Sequence, residues 1–203
     1  CGDKNNVAVA VYGIRRIGKT SILKQVKQSS EVKRRYYSVL WDVEDWSLPA
    51  SDFMADLSRR ILLTLPENLR EKIPFQQNEF KRKPFATFED FLESIDALDL
   101  PKRILVMFDE FDKLIHLAEQ SMKVQNPKHP IVKPSEAFSP EIFASLRKAL
   151  MTRSCFSMII AGLPVIMQQK YESRFFGLLE PIQVHAFNRK EAEEVLRASE
   201  SVM

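Results

Sequence analysis

The 203-residue sequence predicts an α/β fold. In this three-layer sandwich, a five-stranded parallel sheet lies between helices on both faces. Three observations predict it. Five short apolar runs alternate with segments of helical periodicity, the pattern of strand–helix–strand crossovers. One run, "RILVMF" (Arg103 to Phe108), is apolar throughout, as a strand covered on both faces must be. The first run stops at a glycine loop, "GIRRIGKT" (Gly13 to Thr20), that leads straight into a helical pattern.

In chain order, "NNVAVAVY" (Asn5 to Tyr12) reads as the first strand, and Lys19 to Gln28 as a helix with Ile22, Leu23 and Val26 on one face. "YYSVLWDV" (Tyr36 to Val43) is the second strand, followed by an amphipathic helix from Ser51 to Leu65 that Pro66 ends. Pro74 to Pro84 is polar and reads as irregular. Thr87 and Asp90 have capping-box spacing and open a helix that buries Phe88, Phe91, Leu92 and Ile95. The third strand is Arg103 to Phe108. Gln120 to Ser139, carrying Pro127, Pro130 and Pro134, reads as a long loop. Ser139-Pro140-Glu141 starts the next helix. "CFSMIIAG" and "PIQVHAF" supply strands four and five, and Asn188 with Glu191 caps a last helix. The expected division is a core over 1–187 and the start of a C-terminal helical or lid segment over 188–203. A start at Cys1 and a stop soon after that last cap read as a piece of a longer polypeptide.

Composition narrows the class. Apolar residues at 45% and charged residues at 28% are those of a globular protein. A net charge of +3, from 30 basic and 27 acidic side chains, is too small to argue for nucleic acid alone. No apolar run approaches the roughly 20 residues of a membrane helix, and no charged-then-apolar leader is present. Cys1 and Cys155 make no disulfide framework, so a reducing cytoplasm is the expectation.

The glycine loop satisfies G-x-x-x-x-G-K-[ST] in the required place, between a strand and a helix. Gly13 and Gly18 let the backbone turn and approach an anion. The N–H groups of Ile14, Arg15, Arg16 and Ile17, with those of Lys19, Thr20 and Ser21 at the helix start, would face a β-phosphate. Lys19 would reach the β- and γ-phosphates, and the Thr20 hydroxyl would ligate Mg²⁺. The second half of such a site is an acid at the end of another buried strand, and "RILVMFDEFDKL" supplies it. Asp109 is placed to hold the Mg²⁺ water shell. Glu110 is placed to polarise an attacking water, which argues for NTP hydrolysis.

"GIRRIGKTSILKQV" together with "ILVMFDEFDKL" resembles the STAND group of signalling P-loop ATPases, including the archaeal-ATPase type, which are relatives of AAA+ proteins. The likeness extends in pattern through "SPEIFASLRKAL", "FSMIIAGLP" and "SRFFGLLEPIQVHAFNRKEAEEVL". It implies a sheet of order 5-1-4-3-2 and ATP or ADP as ligand with Mg²⁺. It also implies a slowly hydrolysed nucleotide acting as a switch between a resting monomer and an assembly, with sensor and effector domains flanking the core. AAA+ relatives carry an arginine finger for a neighbouring subunit near the position of Arg174; a plain surface arginine is the alternative reading. The fourth strand ends Ala161-Gly162-Leu163, where relatives carry a polar sensor of the γ-phosphate, and this lowers the expected turnover. The alternative function is a AAA+ DNA-acting ATPase of the replication-initiator or transposition-regulator type.

Other features read as structural. His116, His129 and His185 lack metal-ligand spacing. Cys155 reads as a small core residue, and Lys33-Arg34-Arg35 and Lys81-Arg82-Lys83 as solvated faces. The acids of "WDVEDW" (Trp41 to Trp46) could lie near the nucleotide edge, but packing of the two indoles explains that stretch. A kinase would want an Arg-rich lid, and a GTPase an Asn-Lys-x-Asp segment; neither is present.

Overall fold

The computed structural model describes residues 6–124, 139–168, 173–186, 188 and 191. Strand β1 (Ala8–Tyr12) leads to α1 (Lys19–Gln28) and the short α2 (Ser30–Arg35), then β2 (Tyr36–Asp42). Four helices follow: α3 (Ala50–Thr64), α4 (Glu67–Arg70), α5 (Gln77–Arg82) and α6 (Pro84–Asp96). Next come β3 (Arg103–Asp109), α7 (Asp112–Val124), α8 (Glu141–Thr152), β4 (Phe156–Gly162), α9 (Ser173–Phe176) and β5 (Glu180–Gln183). All pairings are parallel, in the order β2-β3-β4-β1-β5, which is the expected 5-1-4-3-2 read from the other edge.

Period-two alternation divides the central strands between two cores. Ile104, Val106 and Phe108 of β3, with Phe156, Met158 and Ile160 of β4, face one cluster with α3, α6, α7 and α8. Leu105, Met107, Ile159 and Ala161 face the other, with Leu23 of α1. Because both faces are covered, β3 and β4 are buried along almost their whole length. In the larger core a chain of rings links Trp41 to Phe108 (5.8 Å between centroids), Phe108 to Phe111 (5.5 Å) and Phe111 to Phe143 (5.9 Å). Trp41 also meets Trp46 edge-on at 5.2 Å, so the indole packing expected of "WDVEDW" forms.

Several expectations are corrected. The segment expected to be irregular contains α5, held by Phe80, which is buried against Phe75. Helix α6 begins at Pro84 and not at Thr87. Proline at N1 needs no N–H and has its φ preset, and Thr87 N already donates to Lys83 O at 2.9 Å, so Thr87 is inside the first turn. Helix α7 continues to Val124 and takes the start of the expected loop; residues 125–138 lie outside the described residues. Strand β5 ends at Gln183, short of the expected Phe187, and tolerates Pro181 because it is the sheet's edge. The last expected cap does form. Asn188 N donates to Glu191 Oε2 at 2.8 Å and Glu191 N to Asn188 Oδ1 at 3.0 Å, while 192–203 lie outside the described residues. No helix among the described residues is long and apolar enough to cross a membrane.

Candidate functional site

The glycine loop begins where β1 leaves the sheet. Gly13 N donates to Gly162 O at 3.3 Å. A Cβ on Gly13 would stand 2.8 Å from Val184 O and 3.0 Å from Ile17 Cγ2, so the close crossing of the chain after β5 requires glycine. Gly18 holds φ 101° immediately before α1, a conformation costly for any residue with a Cβ. Arg16 also sits in the left-handed region, at φ 61°. Ile14, Arg15 and Arg16 are exposed and Ile17 half-buried, so the loop's outer surface is open to solvent.

Helix α1 starts without a side-chain cap and without an acid in its first turn. Its first N–H groups, including those of Lys19, Thr20 and Ser21, are therefore left to an incoming acceptor, and the helix dipole favours an anion there. Thr20 and Ser21 are exposed. Lys19 is only 4% exposed, and a buried ammonium needs partners. It has them in the loop itself, since Nζ donates to Gly13 O at 3.2 Å and to Ile14 O at 3.1 Å. The lysine thus lies across the concavity of the loop.

The acids stand at the ends of the neighbouring strands. Asp109, 2% exposed, closes β3 in register with Asp42 at the end of β2. Its Oδ1 accepts from Glu110 N at 3.1 Å, while its carbonyl accepts from Val43 N at 3.2 Å. Glu110 then turns at φ 52°, left-handed backbone that costs about 1–3 kcal/mol away from glycine. The turn is imposed from beyond it. Phe111 buries its ring completely and donates its N–H to Ala161 O at 2.8 Å, so the chain has one residue in which to reverse from strand to helix. That residue is Glu110, and the reversal leaves its carboxyl half-buried at the rim.

Burial raises the Glu110 pKa above the usual glutamate value of 4.5, and the carboxylates of Asp112, Asp109 and Glu44 raise it further, against the ammonium of Lys19, which lowers it. Asp112 Oδ1 accepts from Leu163 N at 2.9 Å, at the end of β4. Oxygen donors from Thr20 and Asp109 are the hard ligands that Mg²⁺ takes, usually with waters and phosphates completing its shell. Among the described residues no group of three or more His, Cys, Asp or Glu side chains could hold a metal by itself, so these two would share the ion with the phosphates.

The structure therefore brings the glycine loop, Lys19, Asp109 and Glu110 to the C-terminal edge of the sheet, after β1 and β3 with β4 between them. Arg174 is apart from this group in the chain, exposed on the four-residue α9. Sequence reading missed Asp112, whose role needs a partner 51 residues away, and gave the acids of "WDVEDW" no function. Asp42 in fact pairs in register with Asp109, and Glu44 acts on Glu110. Cys155 is buried as expected, and burial pushes its thiol pKa up. Lys33, Arg34 and Arg35 sit at the end of α2, a helix that sequence reading did not find.

No protein-family model matches the chain, and no curated protein does. Solved structures match it in shape. One is the Orc1 protein of Aeropyrum pernix in complex with DNA, 13% identical with a TM-score of 0.54, over 96% of this chain and 44% of that one. Another is Cdc6p from Pyrobaculum aerophilum, 11% identical with a TM-score of 0.50, over 93% of this chain and 41% of that one. At such identities the likeness is one of fold alone. The chain spans less than half the length of either protein.

Two outcomes follow from the geometry. Lys19→Ala removes a cation that would serve two phosphates, and at about 1.5–3 kcal/mol per charged hydrogen bond, ATP affinity should fall about 100-fold or more in an equilibrium titration. Retained affinity would remove Lys19 from the site. Because folding raises the Glu110 pKa, the folded state binds more protons than the unfolded one above pH 4.5, and stability declines as pH rises through the folded value. Glu110→Gln abolishes that decline. Without nucleotide, its melting temperature should exceed the wild type's at pH 8 and match it near pH 4; a variant less stable at pH 8 contradicts this.

Proposed function

We propose that this chain is the ATP-binding and ATP-hydrolysing core of a AAA+-type protein that acts on DNA. The observation that carries the hydrolytic part is the meeting of Lys19 in its glycine loop with Asp109 and Glu110 at the end of β3. ATP would lie with its β- and γ-phosphates over the loop amides and Lys19. Thr20 and Asp109 would hold Mg²⁺, which supplies Lewis-acid charge stabilisation when bound. Glu110 accepts a proton from water as the water oxygen attacks the γ-phosphorus. The bond from phosphorus to the β–γ bridging oxygen breaks, and the charge gathering on ADP meets Lys19 and the N-terminus of α1. A raised Glu110 pKa strengthens its carboxylate as a base toward water.

DNA is supported by the fold shared with Orc1, solved in complex with DNA, and by a basic groove at the opposite end of the sheet. Arg34, Arg35, Tyr36, Lys102 and Arg103 line it. Tyr36 and Arg103 are register partners, and Lys102 Nζ donates to Lys33 O at 2.8 Å. Glu31 pairs with Arg34 at 2.6 Å and with Arg35 at 2.8 Å. Arg34 and Arg35 side chains are 72% and 65% exposed, as phosphate-backbone contacts need to be. Self-association would put exposed Arg174 at a neighbour's nucleotide, and residues 188–203 would open the segment that closes over ATP.

A second reading is a STAND-type switch in a larger signalling or defence protein. It is favoured by the end of β4, where Gly162 and Leu163 offer no polar side chain to the γ-phosphate, an arrangement suited to slow turnover. The readings separate in a binding titration of the full-length protein with duplex DNA. The DNA reading predicts binding that is tighter with ATP than with ADP and that falls steeply with salt. Arg34→Glu with Lys102→Glu should lower the log–log salt slope by about 2. No binding with either nucleotide, or binding indifferent to both substitutions, favours the switch.

A further inference from the structure

The turn that carries Glu110 also carries Asp112, a carboxylate that the proposed hydrolysis does not use. Three hydrogen bonds converge on the end of β4. Phe111 N donates to Ala161 O at 2.8 Å, Gly13 N donates to Gly162 O at 3.3 Å, and Leu163 N donates to Asp112 Oδ1 at 2.9 Å. The acid turn therefore grips β4 on either side of Gly162, while the phosphate loop holds Gly162 itself. The space between is full. A Cβ on Gly162 would lie 2.6 Å from Asp112 Oδ1, 3.2 Å from Ile166 Cγ2 and 3.3 Å from Asp112 N. Gly162 has ordinary backbone and needs no left-handed conformation, so glycine is required here for room alone.

We propose that Asp112 is a positioning residue for the hydrolysis inferred above: its carboxylate latches the turn bearing Glu110 to the end of β4, in the space that a side chain at position 162 would fill. The inference rests on the ATPase reading for its catalytic half. The latch itself rests only on the contacts just given. Its physical purpose is to hold the strained residue. Glu110 at φ 52° stays left-handed only while both flanks of the turn are fixed. Asp109 fixes one flank as the last residue of β3, and Phe111 with Asp112 fixes the other against β4. Through Gly162 the same strand end is tied to the phosphate loop, so the base and the phosphate cradle share one reference point. Asp112 also stands in for the polar group that the end of β4 lacks. It satisfies the Leu163 amide and excludes a side chain from position 162 with one carboxylate.

The test compares Asp112→Ala, Asp112→Asn, Gly162→Ala and the Asp112→Ala/Gly162→Ala pair in the full chain, read by amide hydrogen exchange, bound-nucleotide stoichiometry and turnover. Asp112→Ala should lose about tenfold or more of the protection at the Leu163 amide. It should lower kcat by about 10- to 100-fold, because a base displaced by an ångström loses that much, while stoichiometric ATP binding persists. A purely structural role would instead lower bound nucleotide and kcat together. Asp112→Asn keeps an acceptor oxygen for Leu163 N and should recover most of both losses. Gly162→Ala alone should slow turnover through the clash with Oδ1 but add less than about twofold once Asp112 is alanine, the coupling expected of groups competing for one space. Unchanged Leu163 protection in Asp112→Ala overturns the latch whether or not the protein hydrolyses ATP. Lost protection with unchanged kcat overturns the positioning role. A wild-type chain that hydrolyses no ATP overturns the ATPase reading and the catalytic half of this proposal, and exchange at Leu163 then decides the latch.

Discussion

The two halves of the candidate site come from segments almost a hundred residues apart, and what sets them against each other is the end of β4. Main-chain hydrogen bonds from Gly13 and Phe111 reach Gly162 and Ala161, so the glycine loop and the acid turn are both measured from one strand. That strand is buried along its whole length and cannot shift without opening both cores. Interiors packed to crystal density transmit such constraints with little slack. Placing Lys19 and Glu110 on opposite sides of this strand end gives a fixed separation that flexible loops alone would not hold.

Strain and charge concentrate at the same place. Glu110 is one of three residues other than glycine with positive φ among the described residues, and Arg16 of the glycine loop is another. The ring chain beneath the turn, from Trp41 through Phe108 and Phe111 to Phe143, anchors it on the protein side. Above the turn, Glu44, Asp109 and Asp112 raise the Glu110 pKa against the ammonium of Lys19. Such an excess of negative charge costs stability when Glu110 is ionised. It would suit the divalent cation and phosphates of the proposed hydrolysis.

Sequence reading reached much of this because the relevant constraints are local. The glycine loop is legible because only glycine meets the φ of residue 18 and the close crossing at residue 13. Strand β3 is legible because, covered on both faces, it carries no polar residue between Arg103 and Asp109. Elements that depend on tertiary contact were misread or missed. Helix α5 exists because Phe80 has a core to enter, not because its polar sequence favours helix. Asp112 and Gly162 have no separate signature, since each makes sense only with the other in place. The basic groove is similar. Residues 33–35 and 102–103 look like ordinary surface charge until the pairing of β2 with β3 brings them together.

The central claim is that loop and turn form one hydrolytic site, and a single-turnover measurement tests it most directly. The full chain, loaded with Mg²⁺ and ATP labelled on the γ-phosphate, would be followed for labelled phosphate in wild type and Glu110→Gln at equal bound ATP. The account predicts one phosphate released per ATP bound in the wild type, and release at least about 100-fold slower in the variant, the share expected of a general base. Equal rates in the two proteins, or bound ATP that the wild type never cleaves, would contradict it.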